Sequence, residues 1–154
     1  MATMVATVAD TRTRSGPGGG IYRIVTRAED SVGRLFAFEA YEPPGGGPPL
    51  HTHANEDEYF FVLEGEVSFY IGGQVTVGRP GDSAFVPRGV AHCFKNRSNH
   101  DARVLVLFTP GLIEGFFDFG LPADGVRPSE ALMLERLADH GSLYGLEVLG
   151  PSPL

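Results

Sequence analysis

Two short segments hold the residues whose types and spacing could do chemistry. The first reads Gly45-x5-His51-x-His53-x4-Glu58-x6-Gly65. Two histidines at i and i+2 on a strand point to one face, with imidazoles close enough to share an ion. Glu58 lies an odd number of positions beyond His53, so on one unbroken strand it would face the opposite side. A turn must intervene, and Ala54-Asn55-Glu56-Asp57 has the residues to make one. The carboxylate can then return to the side that the histidines face.

The second segment reads Gly81-x5-Pro87-x-Gly89-x2-His92-x3-Asn96. His92 follows a rigid Pro-x-Gly turn, which specifies its direction and makes it a natural fourth ligand. Three neutral imidazoles and one carboxylate suit one divalent transition metal: iron, manganese, nickel, copper or zinc. Calcium and magnesium, which prefer all-oxygen sites, are disfavoured. On an octahedral metal two positions would stay open, enough for a substrate and dioxygen. Glu56 and Asp57 flank Glu58, and a different reading of the turn would make either a ligand. Solvated loop acids are the expectation for both. Cys93, next to His92, should face away from the metal as a buried, inert thiol. His100 and His140 lie in polar contexts and are expected at the surface.

These histidines and the carboxylate need strands to position them, and the chain is rich in strand and turn signals. Its 154 residues suit one domain. Twenty-one Gly and twelve Pro punctuate the apolar runs every few residues. Strands are expected over 21–27, 32–41, from Leu50 to His53, from Glu58 to Glu64, over 66–71 and beyond Gly72-Gly73, then over 83–86, 90–95 and 103–109. Gly72-Gly73 is a good two-residue hairpin turn, because both positions accept positive φ. Many short strands at turn intervals point to a closed barrel or a sandwich. After Pro110 the pattern changes. A short helix is expected within 112–119, and a second over 130–140 with Ser129 as its cap and Gly141 as its left-handed terminator. The end, GLEVLGPSPL, should be extended. Residues 1–20 read as a disordered lead-in, residues 21–110 as the barrel, and residues 111–154 as a helical extension packed on it.

Composition excludes several roles. The net charge of −7, with eleven scattered Arg and Lys95, disfavours nucleic acid. No apolar run nears the roughly 20 residues of a membrane span. The lone cysteine excludes an internal disulfide and fits a reducing, cytoplasmic setting. Phe36, Phe38, Phe60, Phe69, Phe85, Phe94 and Phe108 alternate along strands, and most are expected in the core. Two or three of them could line the barrel mouth and receive an aromatic substrate. Phe116, Phe117 and Phe119 could cover the barrel or bury a dimer contact.

Both histidine segments resemble the two motifs of the cupin superfamily, with every fixed position filled. The short spacer between them, Glu66 to Pro80, is similar to that of small single-domain bacterial cupins. The resemblance implies an all-β fold, a cupin β-barrel of the double-stranded β-helix or jelly-roll kind, with short C-terminal helices. It implies His51, His53, Glu58 and His92 as metal ligands inside one mouth. The Gly115-Phe116-Phe117 segment, the Leu-rich helix and the closing Gly-x-Glu-x-x-Gly-Pro are similar to bacterial quercetin 2,3-dioxygenase-like proteins. That finer resemblance implies a small-molecule substrate, dioxygen as co-substrate, and Glu58 as both ligand and general base. The superfamily also holds Lewis-acid isomerases and cyclases, and binders without turnover. As in many cupins, a homodimer is expected, with residues 21–27 as a candidate edge for pairing.

Overall fold

The computed structural model describes residues 12–117 and 130–154. Eleven strands alternate with tight turns: β1 (Arg12–Ser15), β2 (Ile21–Thr26), β3 (Phe36–Glu42), β4 (Leu50–His53), β5 (Asp57–Glu64), β6 (Val67–Ile71), β7 (Gln74–Gly78), β8 (Ser83–Val86), β9 (His92–Lys95), β10 (Ala102–Thr109) and β11 (Leu146–Gly150). Helices α1 (Glu114–Phe117) and α2 (Glu130–Gly141) precede the last strand. Gly72 and Gly73, both at positive φ, join β6 to β7 as the dipeptide requires.

The strands form two antiparallel sheets, ordered β1-β2-β3-β10-β5-β8 and β11-β4-β9-β6-β7. This is the expected jelly roll, and of the two architectures the strand spacing allows it is the sandwich: among the described residues no hydrogen-bonded ladder closes the sheets into a barrel. Packed sheets stand about 10 Å apart, twice the spacing of hydrogen-bonded strands, because side chains fill the gap. Here Phe36, Phe38, Phe60, Phe69, Phe94 and Phe108 fill it, all buried. Phe85 departs from expectation and is 59% exposed. It pairs with Tyr59, on the outward phase of β5, while Glu58, Phe60 and Val62 point inward. A period of two says which residues share a face, not which face is the core.

The lead-in also departs from expectation. Arg12–Ser15 forms β1, pairing with β2 from Arg12↔Ile24 to Ser15↔Ile21, and residues 17–19 form a 3-10 turn. The edge of β2 proposed for dimer pairing is therefore already covered. Residues 1–11, Phe119 and Ser129 lie outside the described residues.

At the other end, Gly141 closes α2 in right-handed geometry (φ −61°), and Gly145 (φ 71°) supplies the left-handed residue. A 3-10 turn over Ser142–Tyr144 carries the chain between them. Gly141 is small for another reason, since a Cβ there would sit 2.7 Å from Leu146 Cδ2. The closing strand β11 joins its sheet beside β4, so the segment after Pro110 contributes more than helices. No helix among the described residues is long and apolar enough to cross a membrane.

Candidate metal centre and cavity

His51 and His53 lie on β4 with both side chains inward, as their spacing requires. A bend at Ala54-Asn55 separates β4 from β5, so Glu58 comes back from the opposite sheet onto the same space. On β9, His92 pairs in register with His51. One ligand atom from each of the four lies within 4.8 Å of the others, and all four residues are buried.

Backbone contacts fix the rings. His51 Nδ1 lies 2.7 Å from Pro49 O, and His92 Nδ1 lies 2.8 Å from Val90 O. A carbonyl only accepts, so Nδ1 carries a proton in both rings; Nε2 of His51 presents its lone pair inward, while Nε2 of His92 donates to the Glu58 carboxylate. His92 Nε2 is 2.6 Å from Glu58 Oε2, and His53 Nε2 is 3.2 Å from the same oxygen. Nδ1 of His53 meets no hydrogen-bond partner among the described residues.

The motif ends are tied together. The His53 carbonyl accepts from Gly89 N (2.7 Å), and Asp57 accepts from the backbone and guanidinium of Arg88. Asn96 exchanges backbone bonds with the Gly45-Gly46 loop and donates Nδ2 to Glu42 O (2.9 Å) and His100 O (2.7 Å). The last residue of the second motif thus anchors the start of the first.

Burial alone would raise the Glu58 carboxyl, but His92 and His53 outweigh it and hold it far below the usual carboxylate range. Burial, then the neighbouring His92 and His53, depress His51 well below an ordinary imidazole. For His92 burial pulls downward, but Glu58 wins and raises it. The cluster therefore rests with Glu58 anionic and His51 neutral, the states in which both coordinate metals.

A cavity of about 690 Å³, counted with its open mouth, reaches His51, His53 and Glu58. Its walls are mainly apolar, and six aromatic rings stand in them: Tyr22, Phe38, Phe94, Phe108, Phe116 and Phe117. Leu137, Leu146 and Val148 close it from the C-terminal segment, and Ser15 and Pro17 from the lead-in. No described lining residue is Arg or Lys.

Three acids and aromatics here escaped sequence reasoning. Glu56, expected in solvent, is 1% exposed, and one carboxylate oxygen has no hydrogen-bond partner among the described residues. Burial raises its carboxyl against the pull of His53 and Arg88. Glu42 is fully buried with both oxygens unpartnered among the described residues, and burial pushes it up to about 8. Tyr22, on an ordinary-looking strand, is a wall of the cavity. Only tertiary placement reveals these three. His140 is likewise not at the surface but packs against Phe116 and Tyr144. His100 is exposed, and Cys93 is buried with Sγ 3.5 Å from Ser152 Oγ, both as expected.

Residues 38–108 match the model of the cupin domain. Quercetin 2,3-dioxygenase of Bacillus subtilis (strain 168) is 31% identical over 138 residues, covering 87% of this chain and 41% of that protein. The chain thus spans about two fifths of that relative. An uncharacterized protein of Streptomyces coelicolor is 35% identical over 97 residues, covering 63% of this chain and 86% of its own. Among solved structures, KdgF from Halomonas sp. superposes with a TM-score of 0.63 at 20% identity, covering 71% of this chain and 94% of that one, and shares the fold. With both histidine motifs filled on a jelly roll of this kind, the chain belongs to the cupin superfamily.

Proposed function

We propose that this protein is a metal-dependent dioxygenase acting on an aromatic or enolisable small molecule. One observation carries the reading: an aromatic-walled cavity ends on His51, His53 and Glu58. The similarity to a quercetin 2,3-dioxygenase supports it.

The donor set fits a transition metal. Two imidazoles are held with Nε2 inward, a third is buried with an unpartnered Nδ1, and a carboxylate stays ionised beside them. His51, His53, Glu58 and His92 would hold the ion: iron, manganese, nickel, copper or zinc. Such a metal supplies Lewis acidity and, when redox-active, electron exchange with dioxygen.

This chain's residues do the rest. Phe38, Phe108 and Phe117, with ring centroids 5.0–6.0 Å apart, offer faces and edges that orient a flat ring. The apolar walls exclude water from the bound ligand. Glu58 is the general base, taking the proton of an acidic substrate hydroxyl that lies against its carboxylate.

Elemental analysis of protein purified without added metal or chelator, followed by oxygen uptake with quercetin, tests the reading. One redox-active metal per chain and quercetin-dependent oxygen uptake, lost in Glu58→Gln, are expected. Turnover without oxygen uptake would replace this reading with a Lewis-acid isomerase or cyclase. Binding with no turnover would make the protein a small-ligand-binding cupin.

A further inference from the structure

Tyr22 presents its phenol to the cavity with no hydrogen-bond partner among the described residues. It is 4% exposed and lines the cavity. Its ring is clamped, stacked on Phe38 at 4.4 Å and edge-on to Phe117 at 5.9 Å. Gly16 leaves room for the hydroxyl end, since a Cβ there would lie 2.5 Å from Cζ and 2.9 Å from Oη. Among the described residues nothing takes a hydrogen bond from that hydroxyl, whereas buried Tyr hydroxyls usually find a partner. The ring cannot turn away without giving up its stack, so among the described residues the hydroxyl is left facing the cavity.

We propose that the Tyr22 hydroxyl is a substrate-binding donor, which hydrogen-bonds an uncharged acceptor oxygen, a carbonyl or ether, on a planar ligand that also reaches Glu58. The proposal deepens the aromatic-substrate reading of the same cavity and rests on it.

Two features define the ligand class. No described lining residue is cationic, so a second anionic group on the ligand would be desolvated without compensation. Burial and the charges of Glu42 and Glu58 hold the phenol well above its ordinary range, so it stays protonated and keeps an O–H to donate. The ligand is therefore flat, with one ionisable hydroxyl directed to Glu58 and a neutral oxygen directed to Tyr22. Dicarboxylates and phosphorylated sugars fit neither requirement.

The test compares wild type with Tyr22→Phe, which removes one oxygen and keeps the ring stack. Binding is measured by fluorescence on metal-free protein, with quercetin and with naphthalene, a planar probe that has no acceptor. Metal content and melting temperature are recorded alongside. One neutral hydrogen bond contributes about 1 kcal/mol, so the quercetin Kd should rise about five- to tenfold in Tyr22→Phe. Naphthalene affinity, metal content and melting temperature should not move. Equal quercetin affinity in the two proteins would overturn the proposal, as would an equal loss for both probes, which marks a packing effect. If wild type binds neither probe, the aromatic reading of the cavity itself fails, and the role of Tyr22 with it.

Discussion

His92 Nε2 lies 2.6 Å from Glu58 Oε2, although the two residues belong to opposite sheets. This contact joins the two motifs across the core, with both partners buried. Losing one partner of a buried ionic pair is costly, because the other charge is left uncompensated.

His92→Ala should therefore both lose the metal and lower the melting temperature of the metal-free protein. His51→Ala should lose the metal with a smaller stability cost, since its depressed imidazole is neutral and bonded to Pro49 O. Outer-shell partners alone cost about 10–100-fold in metal affinity, so either substitution should exceed about a hundredfold. Elemental analysis after dialysis, with melts followed by circular dichroism, reads both effects. Unchanged metal content in either variant would remove that residue from the ligand set.

Glu42 should govern alkaline stability. Its carboxyl titrates at about 8 when folded and near 4.5 when unfolded. Between these values the folded protein keeps a proton that the unfolded chain releases. Its contribution is complete below about pH 4.5 and falls away as pH climbs to about 8. Glu42→Gln cannot titrate, so its melting temperature should fall less across this window, by roughly 5 °C or more relative to wild type. Parallel melting curves at pH 4.5 and pH 8 would show that Glu42 ionises normally.

Gly45 and Gly47 should differ sharply. Both have positive φ (83° and 145°), but a Cβ at Gly45 meets nothing within 4 Å. At Gly47 it would overlap the Phe94 carbonyl oxygen. Gly45→Ala should cost about 1–2 kcal/mol, the left-handed penalty alone. Gly47→Ala adds a backbone collision and should cost at least about 3 kcal/mol. Urea unfolding of the two variants checks the ranking, and equal losses would contradict it.

Much of this molecule is legible in its amino-acid sequence. The strands from Leu50 to Thr109 were recognisable within a residue or two, because Gly and Pro bound them and β-branched and aromatic residues fill them. The four-residue cluster follows from the spacing of His51 and His53, the turn before Glu58 and the Pro87-x-Gly89 turn before His92. Illegible features share one physical reason, dependence on partners far along the chain. Arg12–Ser15 carries no apolar alternation and becomes a strand through its ladder with β2. Glu42 looks like a surface acid until Gly20 and Gly46 close around it, and Glu56 looks like one until the fold buries it. Phe85 has the alternation of a core residue on the outward phase. Position 45 opens the family motif, yet position 47 bears the tighter steric constraint.

The neighbours of β4 carry a consequence for how the molecule is built. On one side is β9, which brings His92. On the other is β11, where Leu146 pairs with His53 and Val148 with His51, and both of these residues also wall the cavity. Synthesis runs from the N-terminus, so both motifs leave the ribosome well before β11 exists. All four candidate ligands are thus encoded before Thr109, whereas one wall of the cavity comes from Leu137, Leu146 and Val148, after it. The order of the sequence separates the part that gathers the four side chains from the part that shapes the space a ligand would fill.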